Sequence, residues 1–176
     1  MKKSKALIVI ILIWLAIAVI LVCYNELLLR KGVVILLKTS PIDPRDIFRG
    51  DYVVLNYEIS RINLREISTL INPDKIKAGD TVYVVFDKIG DHWKPFELSN
   101  SKPKGFSTFI RGKVTGKYEN TLEVKYGIEE YFVPEGKGKE IEKLVGKELY
   151  VEVRINKSGK SSISKLFVNG KELILK

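Results

Sequence analysis

The sequence predicts a mainly β protein: a single N-terminal transmembrane helix, then a small β-barrel or sandwich-like domain with one or two short helices. Three observations carry that expectation. Ala6 to Cys23 is a run of eighteen residues without a charge. The rest of the chain alternates apolar with polar residues, or gathers β-branched ones in short runs, as strands do. Dipeptides suited to tight turns (Gly90-Asp91, Glu119-Asn120, Ser158-Gly159 and Asn169-Gly170) fall between those runs.

A length of 176 residues, 45% hydrophobic and 29% charged, suits one ordinary domain beside the apolar segment. The chain is too rich in Ile, Val and Tyr to remain disordered, despite a net charge of +9. One cysteine, Cys23, excludes an internal disulfide framework. One histidine, His92, beside one cysteine excludes a zinc site built from several such ligands. No cofactor or metal is implied, and the Asp-x-Asp spacing of a calcium loop is missing.

The apolar run comes first along the chain. At about 1.5 Å per residue its helix spans roughly 27 Å, close to the thickness of the hydrocarbon core. Trp14 lies inside it, and Tyr24 and Asn25 stand where an interfacial aromatic and the first polar residue belong. Ala16-Ile17-Ala18 has the small-x-small form of a cleavage site, but the apolar residues continue through Val22, which favours an uncleaved signal anchor. Lys2, Lys3 and Lys5 precede the helix, and Arg30, Lys31 and Lys38 follow it. The α-amine and the tighter cluster tip this balance toward an N-terminus inside and a domain outside. Residues 1–29 are therefore read as a cytoplasmic tail plus signal anchor, with the lipid bilayer met through residues 6–23. Residues 30–176 are read as an extracytoplasmic β domain at the cell membrane.

The strands follow in order: Val33–Lys38, Asp51–Ile59, Thr81–Ile89, Trp93–Ser99, Thr108–Tyr118, Thr121–Tyr126, Glu148–Asn156, Ser162–Val168 and Glu172–Leu175. Helix is expected only at Leu64–Ile71 and Lys139–Val145. Asn169-Gly170 is the strongest hairpin signal, since both residues tolerate positive φ. Gly50-Asp51 and Gly79-Asp80 open their strands alike, with an Asp carboxylate placed to accept the next free backbone N–H groups.

The densest polar-aromatic stretch runs from Pro41 to Tyr57. Within it Asp43, Arg45, Asp46 and Arg49 alternate in sign, and Pro41 and Pro44 stiffen the backbone. In an extended strand Asp51, Val53, Leu55 and Tyr57 share one face, and Tyr52, Val54 and Asn56 the other. Leu55 and Tyr57 read as core, with the Tyr57 hydroxyl finding a partner at the rim. The Gly50-Asp51-Tyr52-x-x-Leu55-x-Tyr57 core resembles the signature after which the GDYxxLxY family is named. A second block, Tyr126-Gly127-Ile128-Glu129-Glu130-Tyr131 through Glu135 and Gly136 to Gly138, is similar to that family's other characteristic segment. The resemblance implies a membrane-anchored protein with no established activity.

Two readings of these residues stand side by side. In the plain one the charges satisfy one another and brace the loop onto the domain. In the functional one the loop meets Glu129, Glu130, Tyr131 and Glu135, and the converging carboxylates and arginines bind a polar ligand, a peptide terminus or a hard cation.

For the whole chain, the first expectation is a non-catalytic binding or accessory module for a membrane-protein or envelope partner. The alternative is a membrane-anchored Ser-Lys hydrolase with a superficial likeness to signal peptidase, using Ser40 with Lys75, Lys77 or Lys88 as base. Ser40 is followed by Pro41 rather than that family's Met, and no catalytic residue is assigned. Lys137, between Gly136 and Gly138, lacks the remainder of a phosphate-binding loop. His92 is expected at a hairpin tip. Without residues 1–29 the chain keeps 27 basic and 20 acidic residues, a net +7. These lysines scatter along strands with no basic-aromatic module, so no nucleic-acid partner is expected. An anionic membrane surface is the plainer use of that charge.

Overall fold

In the computed structural model the described residues are 2–30, 32–39, 52–90, 92–105, 108–132 and 148–174. One helix, α1, covers Lys2–Arg30, and strand β1 begins at Val33. The side chains from Leu7 to Cys23 on α1 are all exposed, Trp14 by 68% and Val22 by 68%. Among the described residues no helix is long and apolar enough to cross a membrane.

The rest is strand. β1 (Val33–Lys38), β10 (Leu149–Ile155), β11 (Ser161–Val168) and β12 (Lys171–Glu172) form an antiparallel sheet in that order. A second sheet has six strands in the order β3 (Arg61–Asn63), β8 (Thr121–Lys125), β7 (Thr108–Tyr118), β5 (Thr81–Ile89), β6 (His92–Ser99) and β4 (Ser68–Thr69). β2 (Tyr52–Val54) and β9 (Glu130–Phe132) pair by themselves. Every pairing is antiparallel except the short one between β4 and β6.

Burial follows the period of two. In β10, Leu149, Val151, Val153 and Ile155 are buried while Tyr150, Glu152 and Arg154 are only partly covered. β1 sends Ile35 and Leu37 inward in register with Val153 and Val151. From the other sheet come Val82 and Val84 of β5, Ile110 and Val114 of β7, and Leu122 and Val124 of β8. All of these belong to one apolar cluster. The Arg111 N–H donates to the Gly159 carbonyl at 2.8 Å, tying the middle of the six-stranded sheet to the β10–β11 turn.

The turns use the expected chemistry. Asn169 (φ 48°) and Gly170 (φ 77°) close the two-residue β11–β12 hairpin. Between β10 and β11 the Asn156 carboxamide oxygen accepts the N–H groups of Ser158 at 2.9 Å and Lys160 at 3.0 Å. Asp80 differs from expectation: its carboxylate accepts the N–H of Lys77, behind it, at 2.8 Å.

Two expected elements are corrected. Leu64–Ile71 is not a helix. Asn63 caps a single turn, its side chain accepting the Arg65 N–H at 3.1 Å and its carbonyl the Glu66 N–H at 3.1 Å. The Leu64 N–H turns away to the Asn120 carbonyl, and Leu70 bonds to Leu98. The β-branched Ile67, Thr69 and Ile71, poor helix formers, lie in and on either side of β4, with Ile67 and Ile71 against the core. The strand expected over Asp51–Ile59 stops at Val54, because residues 58–60 wind into a 3-10 turn in which the Ser60 N–H donates to the Tyr57 carbonyl at 2.9 Å. The helix expected at Lys139–Val145 lies outside the described residues.

Gly112, in the middle of β7, has no room for a side chain. A Cβ there would stand 2.3 Å from Val124 Cγ1 and 2.9 Å from the Tyr126 ring. Gly112→Ala is therefore expected to cost about 1–3 kcal/mol through overpacking, read as a lowered urea midpoint at unchanged slope. A variant as stable as the parent would show that β7 and β8 yield there without strain.

Candidate functional site

The two sequence blocks meet. β2 lies against β9 with Tyr52 opposite Phe132, Val53 opposite Tyr131 and Val54 opposite Glu130. The ladder continues past the strand, the Leu55 N–H reaching the Glu129 carbonyl at 2.7 Å. Val53, Leu55 and Tyr57 face inward, each exposed by 1% or less. Asn56, on the other face, is exposed.

Beyond Leu55 a reciprocal pair of hydrogen bonds joins the two segments. The Tyr57 hydroxyl donates to the Ile128 carbonyl at 2.6 Å. The Tyr126 hydroxyl donates to the Ile59 carbonyl, also at 2.6 Å. Each phenol thus ends on a backbone acceptor beside the other tyrosine, inside the core rather than at the rim. Burial first, and the nearby Glu129 carboxylate second, push both phenols above their ordinary pKa of 10.0.

Glu129 secures the turn between them. Its two carboxylate oxygens accept the N–H groups of Tyr126 at 2.5 Å and Gly127 at 2.9 Å. Gly127 has φ 78°, a conformation that suits glycine. The adjoining bonds are of the same kind. Thr39 bridges to Tyr57 and donates its hydroxyl to Leu149 at 2.9 Å. The Ser161 hydroxyl reaches the Tyr126 carbonyl at 3.3 Å, and Ser60 accepts the Tyr57 N–H at 3.3 Å.

Leu55, Tyr57, Tyr126, Gly127, Glu129 and Tyr131 are therefore brought together, and those with polar atoms named above spend them on the backbone. Asp43, Arg45, Asp46, Arg49, Gly50, Asp51, Glu135 and Gly136 lie outside the described residues, as do Ser40 and Lys137. Of Tyr52, only the backbone is described. His92 belongs to β6, opposite Ile89, rather than to the turn itself. Lys75, Lys77 and Lys88 are exposed, whereas a lysine acting as base beside a serine needs a desolvated amine. Gly112, Thr39 and Ser60 went unrecognised. A glycine inside an alternating strand is the one available signal, since it marks a close approach of another group.

Fold and site together define a small β domain of three sheets, in which the two polar-aromatic blocks serve as an internal clasp. The family model described as GDYXXLXY protein matches residues 14–166, and the chain belongs to that family. No curated protein and no solved structure matches it.

Removal of one clasp hydroxyl tests this geometry. Tyr57→Phe leaves the Ile128 carbonyl buried without that donor and is expected to cost about 1–3 kcal/mol, with Tyr126→Phe costing a similar amount. Both phenols stay neutral in the folded chain, whereas the unfolded chain ionises them from about pH 10. Stability contributed by the raised pKa values is complete below pH 10 and declines as pH rises toward the folded values. Urea denaturation of the parent and of the double Phe variant between pH 8 and pH 11 (roughly one unit or more either side of the free phenol) checks the sign, with a flatter profile expected for the variant.

Proposed function

We propose that the chain is a membrane-anchored, extracytoplasmic and non-catalytic module that binds or assists a membrane-protein or envelope partner. Residues 1–29 are its tail and anchor and residues 30–176 its outward domain. The observation that carries the reading is the surface of α1. Its apolar side chains from Leu7 to Val22 point outward all round, and none is covered by the β core. A continuous apolar surface of that extent marks a lipid or protein contact. In the sequence the uncharged run extends from Ala6 to Cys23. Three lysines before the run favour an N-terminus on the cytoplasmic side.

The absence of chemistry in the clasp supports the second half of the proposal. A ligand-binding constellation leaves polar groups free to turn toward a ligand. Here the Glu129 carboxylate and both phenols are engaged with backbone atoms. The domain's business with a partner therefore falls on its outer surfaces.

The full-length chain is expected to remain in the membrane pellet after an alkaline carbonate wash. Leu12→Arg combined with Ala16→Arg raises the insertion cost by about 5–7 kcal/mol, counting each central arginine separately, and is expected to move the protein to the supernatant. Cross-linking in intact membranes should then show a partner only for the parent. Parent protein in the soluble fraction without detergent would overturn the anchoring.

A further inference from the structure

We propose that a cavity between β1, β3 and β6 binds a small molecule with an aromatic or cyclic apolar body and one anionic group. The inference deepens the reading of the domain as a binding module and rests on it. The cavity holds about 480 Å³, within the range of roughly 300–1,000 Å³ usual for small-ligand sites. It is too small for a folded partner and large enough for a substituted ring.

The lining gives the chemistry. Leu37, Ile59 and Ile62, all buried, make its floor, and Trp93, Pro95 and Tyr150 offer flat walls. The Lys88 ammonium stands 6.0 Å from the Trp93 ring centroid and helps to hold the indole in place. Most of the charged groups at the mouth are already matched. Lys38 pairs with Glu58 at 3.1 Å, and Arg61 with Glu123 at 3.5 Å. Glu66 accepts a hydrogen bond from the neutral Asn63 amide at 2.6 Å and keeps its charge, so the anionic group of the ligand is placed on the Lys94 side of the mouth.

Lys94 lines the same cavity and forms no ion pair among the described residues. The Tyr150 hydroxyl likewise makes no hydrogen bond to a described residue. A pocket with an apolar floor, aromatic walls and a charged mouth, in which Lys94 has no ion pair and the Tyr150 hydroxyl no hydrogen bond among the described residues, matches a ring bearing a phosphate, sulfonate or carboxylate. No bond is made or broken in this site.

The chain has two tryptophans, so Trp14→Phe leaves Trp93 as the only indole. The full-length variant in detergent micelles is titrated with phenyl phosphate, then with inorganic phosphate and with benzyl alcohol, while Trp93 emission is followed. Phenyl phosphate is expected to give a saturable change. Each fragment alone should bind about tenfold more weakly or worse, the ring and the charge each supplying part of the affinity. Lys94→Gln, at an exposed position, is expected to weaken phenyl phosphate binding about fivefold to tenfold with unaltered circular dichroism.

A response to phenyl phosphate that does not saturate, or that survives Lys94→Gln unchanged, overturns the site. Equal binding of benzyl alcohol overturns the anionic requirement. The titration is indifferent to where α1 resides in the cell. Binding by a protein that proves soluble would overturn the anchoring alone, and an anchored protein that binds nothing would overturn the cavity alone.

Discussion

Two phenol hydroxyls, each delivered to a carbonyl on the other's segment, hold together parts of the chain that are far apart in sequence. The bonds span 71 residues from Tyr57 to Ile128 and 67 from Tyr126 to Ile59. Their net worth is modest in isolation, about 1 kcal/mol each, because water would satisfy the same groups in the unfolded chain. Their importance comes from burial. Once the rings lie in the core, an unmade bond would leave a polar atom without water and at full desolvation cost. The surroundings conform to them: Gly112 clears space for the Tyr126 ring, and Glu129 fixes the turn that aims it.

That arrangement bears on function by subtraction. The family's signature residues look like a site in sequence, with aromatics, a carboxylate and a glycine in a short span. In three dimensions Tyr57, Tyr126 and Glu129 direct their polar atoms at the backbone, so the signature marks how the domain is closed. Among the described residues, two outer features stand open to other molecules. One is the apolar surface of α1, and the other is the cavity walled by Trp93 and Tyr150. β1, which follows α1 in the chain, reaches the cavity at Leu36 and Lys38. At about 3.3 Å per strand residue the cavity begins some 10–17 Å beyond the start of β1.

The long strands were legible. Val33–Lys38, Thr81–Ile89 and Thr108–Tyr118 have the bounds expected; β1 alternates from Val34 onward, whereas β5 buries Val84, Val85 and Phe86 in a row and β7 buries both Phe109 and Ile110. The short ones were not. β3, β4 and β9 have 3, 2 and 3 residues, too few to display a period, and exist because a longer neighbour offers a ladder. Leu64–Ile71 carried apolar residues at helical spacing, yet the crossing bond from Leu64 to Asn120 outweighed it. The inward face of Val53, Leu55 and Tyr57 could be read, since side chains alternate even where the strand is interrupted. The acceptors of the two phenols could not, because a backbone carbonyl has no letter of its own. Nor could the cavity, whose lining is drawn from four separate segments between Leu36 and Tyr150.

Amide hydrogen exchange on the full-length protein in detergent addresses the clasp most directly. If the tyrosine pair closes the domain, the Leu55, Tyr126 and Gly127 amides exchange only by global unfolding, as slowly as the ladder amides of Val84 and Ile110. Exchange at those three positions by a much easier local opening, while Val84 and Ile110 stay protected, would show that the motif segments detach freely and that the domain's closure lies elsewhere.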